Sequence, residues 1–166
     1  NEYQIDAWRL DVPDETSLRF LHSFANRLRK LNPNVYIIGE IWQDPAEWLD
    51  QRVFDGTMDY PLYFAIRDFA LLHTDSLEVF SMRIQRWFES MPDLIHKRQW
   101  AFCSNHDIPR AWHLCGGRTS DFQLAYLLAA LLGGGLSVYY GDEIALDGGT
   151  DPDNRRAMQW TAQWTD

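Results

Sequence analysis

Two hydrophobic rhythms alternate along this chain. Short, almost continuously apolar runs are separated by longer stretches in which apolar residues recur every three or four positions. Residues 3–11 read as a strand. Residues 15–31 read as a helix, with Leu21, Phe24, Ala25 and Leu28 on one stripe, stopped by Asn32-Pro33-Asn34. Residues 35–41 are rich in β-branched side chains and apolar at successive positions, the pattern of a parallel strand buried on both faces. Residues 44–49 suggest a short helix within a loop, and residues 54–60 a weak strand. Helical patterns follow over 61–72 and 77–90, the second closed by Met91-Pro92. A fourth strand is predicted over 99–104. Residues 120–132 form a strongly apolar helix that Gly133-Gly134-Gly135 ends, with Leu124, Leu127, Leu128 and Leu131 expected in the core. A fifth strand, 136–140, runs into a loop rich in Gly and Asp over 141–156.

The order βαβ(α)βαβαβ implies a parallel α/β sheet with right-handed crossovers. No repeat, low-complexity tract or linker divides it, so one domain is expected. Polar residues collect after the strands, where parallel α/β folds build their sites. Pattern alone fits both part of a closed barrel and a doubly wound sheet.

At 166 residues, with 46% hydrophobic and 14% aromatic residues, the chain can bury a sizeable core. A net charge of -9 argues against a nucleic-acid partner, and no apolar run approaches the roughly 20 residues that span a bilayer. Cys103 and Cys115 make no disulfide framework and have no metal-ligand spacing around them, which favours a reducing, cytoplasmic compartment. Eight Trp are many for this length; they serve cores, and they also stack on pyranose rings in sugar clefts. The chain starts without Met, enters a strand almost at once and stops at Trp164-Thr165-Asp166 without a closing element, so it reads as a piece of a longer enzyme.

Three of the strand-like runs end in carboxylates: Asp11, Glu40 and Asp107. Arg9 and Asp11 are two apart on one strand and point to the same face. The guanidinium favours an ionised Asp11, as a nucleophile requires, although an ordinary strand-end ion pair has the same spacing. Glu40, among Gly39, Ile41 and Trp42, has the apolar surroundings that raise a carboxyl pKa and suit a general acid; a Glu paired with a nearby cation is the alternative. Asn105-His106-Asp107 could grip vicinal hydroxyls or form a simple turn. Together, two carboxylates of contrasting environment on neighbouring strands, with a third nearby, suit glycosidic bond cleavage.

Trp8-Arg9-Leu10-Asp11, Gly39-Glu40-Ile41-Trp42 and Ser104-Asn105-His106-Asp107 resemble, in order and spacing, three signature segments of the α-amylase family, glycoside hydrolase family 13. Met58-Asp59-Tyr60-Pro61, Tyr139-Tyr140-Gly141-Asp142-Glu143 and the segment from Gly149 to Arg156 are similar to the neopullulanase, cyclomaltodextrinase and maltogenic amylase group. The resemblance implies the C-terminal part, about strands 4 to 8, of a (β/α)8 TIM barrel, with residues 1–166 as a partial catalytic domain. It implies Asp11 as nucleophile, Glu40 as acid and base, and Asp107 as the carboxylate that holds sugar hydroxyls and favours the distorted transition state. Arg9 would orient Asp11, and His106, Asp151 and Arg155 would contact the glycone. Glu15 and Trp42 would lie on the acceptor side. The substrates implied are α-glucans or cyclodextrins, with no cofactor; some relatives bind calcium, but no loop here has its ligand spacing. A homodimer is implied for the longer protein.

The family's first three strands, with their Asn-His segment, its N-terminal module and its C-terminal β-domain have no counterpart here. Pro13-Asp14 replaces a usual Ala-Asn, and Asp59 a usual Asn. A five-strand arc leaves two unpaired edges and an exposed apolar face, so the isolated chain is expected to aggregate and to have little or no activity. His22, His73, His96 and His113 are expected on the surface or in the core, and Asp142 and Glu143 to stabilise the last loop. Rivals are a sucrose- or isomaltose-type enzyme of the same superfamily, a non-catalytic amylase-like binding or chaperone subunit, and a truncated piece without function.

Overall fold

The computed structural model describes residues 5–50 and 52–161. Five short parallel strands follow one another in sequence order, with helices between them. Strand β1 (Ala7–Leu10) pairs with β2 (Tyr36–Gly39), in a register that sets Arg9 beside Ile38 and Leu10 beside Gly39. Strand β3 (Gly56–Thr57) lies on the other side of β2. Strand β4 (Trp100–Ala101) pairs with β5 (Gly135–Leu136). A parallel bridge between Met58 and Trp100 and a bond from Asp59 N to Trp100 O join the two sheets into one arc. Among the described residues β1 and β5 each pair on one side only, the two open edges expected of an incomplete barrel.

Strand β2 is the centre of this arc: Ile37 and Ile38, on opposite faces, are both wholly buried. Helix α1 (Leu18–Leu31) begins three residues later than its periodicity predicts, because Pro13–Glu15 forms a 3-10 turn and the Ser17 hydroxyl caps the Phe20 N–H. Its Leu21 and Ala25 pack with Ile37, Ile41 and Val53 in one apolar cluster, with Leu28 half-buried beside it. A short helix, α2 (Ala46–Asp50), precedes β3. Helix α3 (Tyr60–Ile66) continues into a π turn over Arg67–Leu71, and α4 (Leu77–Ser90), capped by Ser76, coincides with its predicted span. Single turns α5 (Asp93–His96) and α6 (Ala111–Leu114) flank β4, and α7 (Thr119–Leu132) leads into β5. The predicted first strand also covered residues 3 and 4, which lie outside the described residues, as does Trp164-Thr165-Asp166.

Four expectations need correction. The stripe Leu124, Leu127, Leu128 and Leu131 does not form the core: Leu124, Leu127 and Leu131 are exposed, the last at 72%, and Leu128 is half-buried. Phe122, Ala125 and Ala129 face inward instead. Helix α7 is apolar nearly all round, so periodicity selects no face; alanines let it approach α3 and the π turn closely. The fifth strand is Gly135–Leu136 rather than 136–140, because Tyr139 and Tyr140 leave the ladder to pack on the Arg110 guanidinium, 4.4 and 4.8 Å from their rings. The fourth is Trp100–Ala101 rather than 99–104, and the weak third keeps only Gly56–Thr57 in ladder geometry.

Asp59 caps α3 through a 3.1 Å bond from Leu62 N and accepts from Trp87 Nε1, 3.1 Å from either oxygen. These donors are neutral and the side chain is buried, so the loss of solvent pushes its pKa up to about 7. The folded protein therefore keeps a proton on Asp59 that the unfolded chain loses near pH 4, and the folded state weakens, by a few kcal/mol in all, as pH rises through that window. In the full-length protein, Asp59→Asn is expected to flatten the fall in Tm between pH 4.5 and 7.5, where parallel Tm–pH curves for wild type and variant would contradict this account. Gly56→Ala would drive a Cβ into the Arg98 carbonyl and the Tyr36 hydroxyl; a loss of about 1–3 kcal/mol is expected in denaturant titration.

Candidate active site

The parallel register brings the ends of β1 and β2 together. Glu40 N donates to Leu10 O at 3.0 Å, so Asp11 and Glu40 leave adjacent strands side by side. Arg9 lies between them. Its Nη1 is 2.5 Å from Asp11 Oδ1 and its Nη2 is 2.7 Å from Glu40 Oε2. One guanidinium thus bridges both carboxylates.

Their environments differ sharply. The Asp11 side chain is 73% exposed, and the Arg9 hydrogen bond and charge hold its pKa below the ordinary carboxylate value. Glu40 is 2% exposed, and burial raises its pKa despite Arg9, Trp42 and the Val12 N–H, which pull the other way. The pair therefore offers one carboxylate that stays ionised and one that can hold a proton. Glu40 Oε2 also accepts from Val12 N at 3.4 Å, while Oε1 accepts from Tyr60 Oη at 3.2 Å and Trp42 Nε1 at 3.3 Å. Val12 has φ +39°, a left-handed conformation costly for a β-branched residue, and this bend turns its N–H toward Glu40.

After β4 the chain presents Asn105, His106 and Asp107. His106 Nε2 lies 3.1 Å from Asp107 Oδ2, and Arg155 Nη2 lies 3.6 Å from Asp107 Oδ1. Arg155 Nε also meets Asp151 Oδ1 at 3.0 Å. Asn105 links this segment to Glu40: its Oδ1 accepts from Asp107 N at 2.8 Å and its Nδ2 donates at 2.9 Å to Tyr60 Oη, which lies 3.2 Å from Glu40 Oε1. Trp42 stacks on Tyr60 with ring centres 4.2 Å apart and remains 40% exposed. Glu15 is exposed on the turn after β1, and no hydrogen bond or ion pair joins it to the three acids among the described residues. Eight of the nine residues expected from the sequence thus gather in one linked constellation; Glu15 stands apart from it.

Sequence reasoning missed what holds the loop after β4. Asn154 is wholly buried, and its Nδ2 donates to His106 O at 2.8 Å and Ile108 O at 3.0 Å. Arg155 Nε donates to the same His106 carbonyl at 2.9 Å. Arg110, also wholly buried, donates to Asn154 O and Tyr140 O and pairs with Asp142 at 3.0 Å. Asp142 thus has the loop-stabilising place expected of it, while Glu143 is exposed. An Arg and an Asn in polar sequence carry no sign of burial, so only the fold reveals them. His96 is buried against Trp87, His73 and His113 pair with Asp121 and Asp147, and His22 is half-buried, all away from the acids. Both cysteines are buried and free. No described helix is long and apolar enough to cross a membrane.

The profile of the α-amylase catalytic domain matches residues 2–165. The chain is 37% identical over 159 residues to a cyclomaltodextrinase of Geobacillus thermopakistaniensis and 36% identical over 159 residues to neopullulanase 2 of Thermoactinomyces vulgaris. Each alignment covers 96% of this chain and 27% of the relative, so the chain spans about a quarter of their length. The solved debranching enzyme of Nostoc punctiforme superposes with a TM-score of 0.88 at 34% identity, over 97% of this chain and 37% of that one. The arc of strands and helices is thus part of a (β/α)8 barrel, and the chain belongs to the α-amylase family.

Proposed function

We propose that the protein cleaves α-glucosidic bonds in cyclodextrins, pullulan or short maltooligosaccharides with retention of configuration. The observation that supports this most is the Arg9 bridge between an exposed, ionised Asp11 and a buried, protonatable Glu40. Neighbouring strands lie about 4.8 Å apart, which suits the roughly 5–5.5 Å between carboxyls in retaining glycosidases. The names of the relatives, cyclomaltodextrinase and neopullulanase, support this substrate class.

In this reading an Asp11 oxygen attacks the anomeric carbon as the glycosidic C–O bond breaks, and Glu40 gives its proton to the departing oxygen. Water then attacks the same carbon, Glu40 takes its proton, and Asp11 is released; another sugar hydroxyl in place of water gives transglycosylation. Arg9 keeps Asp11 ionised and in position. Asp107 holds sugar hydroxyls and favours the distorted ring, with His106, Asp151 and Arg155 on the glycone. Trp42 and Glu15 serve the acceptor side, where the exposed part of the Trp42 ring offers a stacking face.

The test is reducing-sugar release from cyclodextrin, pullulan and starch by the full-length protein and its Glu40→Gln variant. Cyclodextrin should be cut faster than starch, the variant should fall by about 10²–10⁴, and the first product seen by NMR should be the α-anomer. An unimpaired variant would remove Glu40 from the acid role, and a β-anomer would exclude retention. The 166-residue chain alone is expected to aggregate through its open edges and to show little or no turnover; a sharp melt with full activity would contradict that.

A further inference from the structure

The buried face of Glu40 is wired to the Asp107 segment through two side chains outside the nine site residues. Asp107 N donates to Asn105 Oδ1 at 2.8 Å. Only the amide oxygen of Asn105 can accept that bond, so its Nδ2 must face the other way, where it meets Tyr60 Oη at 2.9 Å. Nδ2 is a donor only. The Tyr60 oxygen therefore accepts from Asn105, and its hydrogen is left for Glu40 Oε1, 3.2 Å away. Every bond in the chain Asp107 N–H, Asn105, Tyr60, Glu40 points toward the carboxyl.

Nothing in this path is free to turn. Tyr60 is wholly buried, stacked on Trp42 and held edge-on by Phe102 at 4.9 Å; Asn105 is 6% exposed. Burial keeps the Tyr60 phenol far above its ordinary pKa, so it stays a donor at any working pH. We propose that Tyr60, aligned by Asn105, is a positioning residue that holds the Glu40 carboxyl and stabilises the carboxylate that forms as Glu40 gives up its proton. This rests on the reading of Glu40 as the acid. The bond strengthens as negative charge develops, so it favours the transition state of proton transfer over the ground state. It also ties the acid to the sugar-gripping segment, so that Asp107 and Glu40 keep a fixed mutual position. The other charged groups facing Glu40 are Arg9 and Asp11 from the end of β1 and Asp107 from the loop after β4, the last paired with His106.

The test compares two leaving groups in the full-length protein. A maltooligosaccharide leaves as an alkoxide that needs a proton; the fluoride of α-maltosyl fluoride leaves without one. Tyr60→Phe keeps the ring and its stacking but removes the donor. It should lower kcat/KM, which reports only the step in which the leaving group departs, by about tenfold or more on the maltooligosaccharide and leave kcat/KM on the fluoride nearly unchanged. Its alkaline limb should move to higher pH, because a carboxylate that loses a hydrogen bond is a weaker acid. Asn105→Asp supplies an acceptor that draws the Tyr60 hydrogen away from Glu40, and should shift the same ratio in the same direction. The ratio of the two rates does not depend on how much variant is folded, so partial misfolding cannot mimic the effect. Equal losses on both substrates, or an unchanged ratio, would overturn the proposal. A wild type that cleaves neither would overturn the acid reading beneath it.

Discussion

The site depends on one cation shared by two carboxylates. Arg9 donates through Nη1 to Asp11 and through Nη2 to Glu40, and it can do so only because β1 and β2 run parallel in a register that ends them level. A shift of one residue would turn Arg9 and Asp11 to the other face of the sheet. The same charge has different consequences for its partners. For the exposed Asp11 it prevails and favours the ionised form. For Glu40 desolvation prevails, and burial raises the carboxyl's pKa despite the same guanidinium. The contrast between the two carboxyls is a matter of burial rather than of residue type.

Burial at Glu40 has a structural origin. Strand β2 is covered on both faces, and past its end Trp42 and Tyr60 close over the carboxyl. Beneath them Tyr60, Tyr63, Phe102 and Ile108 form a compact apolar cluster that joins α3 to the segment after β4. Polar groups enter this cluster only where partners meet them, as Tyr60 Oη does between Asn105 and Glu40. The aromatic core is thus both the support of the site and the low-dielectric wall that raises the pKa of Glu40.

A second support comes from the far end of the chain. The loop over 141–156 folds back so that Asn154 and Arg155 hold the carbonyls of the loop after β4, while the buried Arg110–Asp142 pair anchors the return. An ion pair this deeply buried is costly unless its remaining groups are bonded; Arg110 Nε and Nη1 reach two backbone carbonyls and Tyr126 donates to Asp142, while Arg110 Nη2 is left without a hydrogen bond among the described residues. Asp107 therefore owes its place to residues more than thirty positions later in the sequence.

The alternation of apolar runs and helical stretches was enough to read a parallel α/β arrangement, the span of α4 and the doubly buried β2, because these depend on local periodicity. The three acids were legible for a related reason: each stands at the end of a strand, and parallel strands end on one face. The tertiary structure decided the rest. Leu124, Leu127 and Leu131 lie outside because an all-apolar helix does not encode which side meets a neighbour, and Ala125 and Ala129 allow the closer approach. The fifth strand stops early because Arg110 competes for its tyrosines. Tyr60, Asn105, Arg110 and Asn154 act through contacts between distant segments, and no local pattern records a contact whose partner lies 20 to 50 residues away. Sequence determined which elements form and which acids they offer; packing determined which of these carboxyls is buried and which is left exposed.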